Sequence, residues 1–186
     1  MNSMPLWLRR TAAVAALVTL VAALSPSPAK SQDVAVGQAT ATVLAVLAVS
    51  ATQALNFGNV YQGVAKTQDE TSDANSGKFT ITGQASANIS CFFQLPDYLA
   101  LANGTDRIVI AFSTTDATFS ILGTGTPAAP GLGATLNTNP RNLTGTAMGT
   151  AGTSQIFLGG KVIPSVNQTA GSYSADIVLT VAYTGS

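Results

Sequence analysis

The chain has 186 residues, 46% of them hydrophobic and 9% charged, with eight Lys plus Arg balanced by eight Asp plus Glu, no His and one Cys. The missing imidazole excludes Ser-His-Asp and Cys-His triads, His-containing zinc sites and the H-E-x-x-H motif, and the single thiol excludes an internal disulfide or a CxxC redox pair. Zero formal net charge, with no basic run beyond residue 10, leaves no electrostatic footprint for a nucleic-acid backbone.

Arg9 and Arg10 precede an apolar stretch, residues 11–24, which a Ser/Pro-rich segment follows. That order reads as a secretory signal over residues 1–31. The stretch is shorter than the roughly 20 residues that a spanning helix needs, so no membrane span is expected after cleavage. Ala29-Lys30-Ser31 supplies the small residues of a cleavage site and places the mature start at Gln32. Losing Arg9, Arg10 and Lys30 leaves five basic residues against eight acidic ones, a mildly acidic chain over 32–186. Its size suits one domain.

Beyond the signal no helical period emerges, whereas apolar and polar residues alternate between clusters of turn formers, which predicts an all-β sandwich. The predicted strands are 40–49, 55–61, 78–82, 86–95, 107–113, 117–122, 155–163 and 172–183. In the first region Ala35, Gly37, Ala39, Ala41, Val43, Ala45, Leu47 and Val49 are all apolar or Gly at odd positions. As one strand the run would reach roughly 50 Å, far beyond the usual 17–20 Å, so it should divide. Its second half is expected to pair within the domain. The first, an arm at about 32–41, is left to complete the sheet edge of another molecule, or else forms a disordered terminus.

The acidic loop Asp69-Glu70-Thr71-Ser72-Asp73-Ala74-Asn75 spaces oxygen donors as calcium loops do, but it lacks the distal bidentate Glu and reads as a solvated turn. Cys91 shares a strand face with Ile89, Phe93 and Leu95 and is read as a small buried hydrophobe. Two connections, 123–133 and 137–154, are rich in turn formers and are expected at the surface. Asn88, Asn103, Asn142 and Asn167 begin formal N-glycosylation matches of the kind that a Thr- and Asn-rich composition produces. At the C-terminus Tyr173, Ala175, Ile177, Leu179, Val181 and Tyr183 alternate with polar residues, the clearest strand signal in the chain.

Leu55-Asn56-Phe57-Gly58-Asn59-Val60, Phe79-Thr80-Ile81-Thr82-Gly83, Gln94-Leu95-Pro96, Leu158-Gly159-Gly160-Lys161-Val162 and Gly171-Ser172-Tyr173 leading to Thr180-Val181-Ala182-Tyr183 follow one another in order. In these motifs, over roughly 40–184, the chain resembles domain of unknown function family 4402, itself similar to spore coat protein U and to chaperone–usher fimbrial subunits. The resemblance implies an incomplete, pilin-like immunoglobulin-like β-sandwich, escorted by a periplasmic chaperone, handed to an usher and assembled by donor-strand exchange. Gly171 and Tyr183 reproduce the Gly and near-terminal Tyr of fimbrial subunits. The chain departs from that pattern in its three residues after Tyr183 and in its single Cys91.

The expectation is an exported, non-enzymatic structural subunit of a surface fibre or coat, with no cofactor and no metal. Its partners would be copies of itself or related subunits. The acceptor residues would be Gly171, Ile177, Leu179, Val181 and Tyr183, and the donor residues Ala35, Gly37, Ala39 and Ala41. The alternative is a monomeric secreted or periplasmic binding module that acts through loops 123–133 and 137–154.

Overall fold

A computed structural model describes residues 35–131, 133–143 and 146–184. The expected signal segment 1–31, the first arm residues 32–34 and Thr144 of one glycosylation match lie outside them. The chain divides into two units, Met1–Ala41 and Thr42–Ser186. In the first, the described residues 35–41 form no strand and are exposed. The second is all-β, with no helix among its described residues.

The strands are β1 (Ala48–Gln53), β2 (Lys66–Gln68), β3 (Gly77–Thr82), β4 (Ile89–Gln94), β5 (Tyr98–Leu101), β6 (Arg107–Ala111), β7 (Ala117–Ser120), β8 (Thr135–Thr138), β9 (Thr153–Leu158), β10 (Gly160–Ile163), β11 (Tyr173–Ser174) and β12 (Val178–Tyr183). They form three antiparallel sheets, ordered β1-β3-β9-β7-β8, β11-β5-β6-β10-β2 and β12-β4. Strict alternation, buried at Phe79 and Ile81 and again at Ile89, Cys91 and Phe93, turns one face of β3 and of β4 inward. The main core forms between them, joined by Phe119, Ile156 and Leu158, with the Phe79 and Phe93 rings edge-to-face at 5.1 Å. A second core of Phe57, Ile108, Ile110 and Val162 lies under the β5-β6-β10 sheet.

Several expected boundaries shift. The predicted strand 40–49 is displaced: pairing with β3 selects 48–53, and residues 42–47 form no strand. The predicted strand 55–61 is coil, broken where Gly58 takes a positive φ. The predicted 155–163 divides at Gly159, whose N–H donates to the Asp116 carbonyl (2.7 Å), so that β9 serves the first sheet and β10 the second. The predicted 172–183 likewise divides into β11 and β12, which join different sheets.

The two connections expected at the surface have structural roles. Segment 137–154 covers the free edge of β4 through bridges Cys91–Leu143 and Asn88–Ala147, and buries Leu143 and Met148 in the core. Segment 123–131 lies over the outer face of the first sheet. Its Pro130 and Gly123 carbonyls accept from Ser120 Oγ (2.6 Å) and Gln155 Nε2 (2.9 Å). The acidic loop is engaged with its own chain: Asp69 accepts locally from the Thr71 N–H (2.9 Å), and Asp73 from the distant Ala128 N–H (2.9 Å).

Two substitutions test this packing. Burial pushes the Cys91 thiol up to about 11, so it is an unreactive core group at neutral pH. Cys91→Ala should cost about 1–2 kcal/mol in denaturant unfolding without changing the circular dichroism of the fold. Burial also raises the Glu70 carboxyl above its ordinary value, opposed by its own backbone N–H and reinforced by the neighbouring Asp69 and Asp116 charges. A raised acid favours folding while protonated, and that contribution is lost as pH rises through its folded value. Glu70→Gln should therefore raise the melting temperature at pH 7 more than at pH 4.

Candidate functional site

The site forms along the gap between β1 and β12, two strands that end their sheets and approach each other without pairing. Within the described residues β1 pairs with β3 alone and β12 with β4 alone, so each presents one unpaired edge. Ala45, three residues before β1, meets Tyr183 at the end of β12, while Ala54 and Leu55, just after β1, line the same groove as Ala175 and Ile177, just before β12, so the two strands run antiparallel. Both expose part of an apolar inner face. Val49 and Ala51 stand opposite the buried Ile81 and Phe79 yet remain exposed, Val49 by 39%. Ile177, Leu179, Val181 and Tyr183 pack against the main core but are only half-buried, while Val178, Thr180 and Ala182 face outward.

Beyond that gap the same two chain segments, 54–62 and 168–177, become the walls of an open groove of about 870 Å³. Its floor is the second core: Phe57, Leu99, Ile108, Ile110 and Val162. Asn56, Asn59, Gln62 and Gln168 also line it, and the Gln62 amide joins the two walls by donating to the Gln168 carbonyl. An apolar floor between two stretches of backbone with amide-bearing sides suits an extended peptide, whose main chain can bond to the walls while alternate side chains point down.

One wall is held by a hydrogen-bond network centred on Asp106. Its Oδ2 accepts from the Thr169 N–H (2.8 Å) and lies 2.9 Å from the Tyr173 hydroxyl, and its Oδ1 accepts from the Arg107 N–H (2.8 Å). Gln168, buried, donates to the Tyr173 hydroxyl (3.0 Å) and to the Arg107 carbonyl (3.2 Å). Gly171 allows the wall to close down, because a Cβ there would meet Leu101 Cδ1 at 2.5 Å.

Of the expected acceptor residues, Ile177, Leu179, Val181 and Tyr183 pack half-buried on the main core, and Gly171 and Ile177 belong to the groove wall. The expected donor residues Ala35, Gly37, Ala39 and Ala41 lie in the other unit, exposed and without strand partners. Asn56, Asp106, Gln168 and Thr169 escape sequence reading. Their roles depend on the fold bringing 106 beside 169 and 56 into the same groove as 173, which no local pattern encodes.

No protein-family profile matches the sequence, and no curated protein matches it. Among solved structures the chain is similar to a family 123 glycoside hydrolase from Clostridium perfringens, at 14% identity and a TM-score of 0.32, over 74% of this chain and 24% of that one. The chain thus spans about a quarter of that enzyme's length.

The Asp106 network makes a pH prediction. Bonds from the Thr169 backbone and side chain, then from the Arg107 N–H and Tyr173, hold the Asp106 carboxyl well below the ordinary carboxylate range. A depressed acid stabilises the fold above its unfolded value, and this contribution is lost as pH falls through the folded one. Asp106→Asn should speed amide exchange at Thr169 at neutral pH, and the difference from the parent protein should shrink in strong acid.

Proposed function

We propose that this protein is an exported, non-enzymatic structural subunit that assembles by β-strand addition, the gap between β1 and β12 receiving an extended segment from another copy. The observation that carries the reading is the pair of facing, unpaired edges with half-exposed apolar residues between them. Edges of that kind promote association unless something occupies them. The arm at 32–41 supplies the occupant: it alternates, carries no charge after Asp33 and is exposed where described. The sequence resemblance to fimbrial subunits points the same way, and a subunit with an open gap would need a periplasmic chaperone to cover it before assembly. A monomeric binding module working through 123–133 and 137–154 has less support, because both segments are engaged in covering strands of their own domain.

Deleting residues 32–41 from the mature chain should abolish chain formation, as seen by electron microscopy and by mass in solution. Leu179→Asp should instead impair folding, since that side chain packs on the main core. Filaments that persist after the deletion, or a full-length protein that is a stable monomer without any chaperone, would overturn the proposal.

A further inference from the structure

The β5-β6-β10 sheet has an outer face that the gap and the groove do not use. On β6, Ile108 and Ile110 turn inward to the second core, so Arg107 and Val109 turn outward and are exposed. Register then assembles an apolar row: Tyr98 pairs with Val109 and Val109 with Ile163, and the three are 51%, 42% and 44% exposed. Arg107 stands on one side of the row, two residues from Val109, and Lys161 on the other, two residues from Ile163, both exposed. The two cations are thus roughly 14 Å apart, diagonally across the row. No outward position of these three strands is acidic, and the nearby Asp97 and Asp106 are engaged with Arg141 and Thr169. Residues 32–186 hold five basic side chains. Lys66 donates to the Asn59 carbonyl (3.0 Å), Lys78 to the Gly125 carbonyl (3.5 Å), and Arg141 pairs with Asp97 (3.7 Å). Among the described residues the side chains of Arg107 and Lys161 have no such partner.

We propose that this face binds an acidic polysaccharide, a chain of sugars that bear carboxylates. The flat C–H side of a pyranose ring packs on an apolar row with the Tyr98 ring as its platform, and carboxylates along the rim of the chain accept from the Arg107 guanidinium and the Lys161 ammonium. A single small anion cannot reach both cations across roughly 14 Å, whereas a polymer with repeated carboxylates can. Other occupants fit less well. A peptide added as a strand finds no free backbone here, because β6 is paired on both sides. A second copy apposed through the same face would set like charges together. Val109 and Ile163 are short side chains on a flat sheet, and they do not reach the depth of roughly 5–10 Å at which interfacial segments bury their apolar face in a bilayer. The proposal stands apart from strand addition, since the groove lies on the opposite side of the same sheet, above Ile108, Ile110 and Val162.

The test is equilibrium binding of full-length mature protein to polygalacturonate, with neutral dextran and vesicles of anionic phospholipid as the other arms. The expected result is binding to polygalacturonate that weakens with added salt, and none to dextran or to the vesicles. Arg107→Gln and Lys161→Gln should each weaken it by about fivefold, and together by about twenty-fivefold, because the two positions are too far apart to couple. Tyr98→Ser should weaken it several-fold by a factor that salt does not change. Arg141→Gln, whose cation is already held by Asp97, should leave it unchanged. All four positions are exposed, so the melting temperature of the parent protein should be kept. Absence of binding to polygalacturonate, equal binding to dextran, tighter binding to the vesicles, or equal losses from Arg141→Gln and Arg107→Gln would each overturn the proposal. So would a Val109→Asp variant that changes mass in solution while polygalacturonate binding stays intact, which would make this face a contact between copies.

Discussion

The unpaired edge is the constraint around which this protein is organised. A strand's backbone N–H and C=O groups need partners, and in most sandwiches the two sheets are trimmed so that edges face solvent harmlessly. Here β12 is secured on one side by a register of six pairs from Val178–Gln94 to Tyr183–Ile89, and its other side pairs with no strand among the described residues. β1 is in the same position opposite it. Everything else about the site follows: the half-burial of Leu179 and Val181, the exposure of Val49, and the groove that continues the gap past Ile177.

Two kinds of interaction hold the walls of that opening, and they differ in character. The β12 side depends on apolar packing onto Phe93, Ile89 and the first sheet, which is indifferent to pH. The wall from Gln168 to Tyr173 depends on one carboxylate and the donors that surround it. With only one ion pair among the described residues, Arg141–Asp97 at 3.7 Å and exposed, charge contributes to this fold at a point and not as a general cohesion.

Alternating residues make β3, β4, β6 and β12 legible in the sequence, because in each an inward face, buried in the first three and half-buried in β12, repeats with period two. The strands that the pattern does not reveal have no such face to show. Lys66-Thr67-Gln68 is polar throughout, and Thr135-Leu136-Asn137-Thr138 is an edge whose one large apolar residue is exposed. Tyr98-Leu99-Ala100-Leu101 is apolar throughout and so has no alternation to read. The N-terminal alternation misleads in a different way. It is strongest at 35–47, yet pairing with β3 selects the weaker 48–53, since a strand inside a domain is decided by its partner and not by its own pattern. The C-terminal alternation is continuous although the strand is not: Tyr173 faces the second core and Leu179 the first. The gap's apolar side can be read from Ile177 to Tyr183, whereas the wall around Asp106 joins local bonds to others that span more than sixty residues.

Gly159 carries a consequence of a different order. At this residue one continuous chain leaves the first sheet and enters the second, so β9 and β10 are interior members of separate sheets above separate cores. Melting either core pulls on a strand that the other needs, across a joint one residue long. The two layers therefore lack the slack to come apart in turn, and heat should remove them together, in a single calorimetric transition whose measured and van't Hoff enthalpies agree.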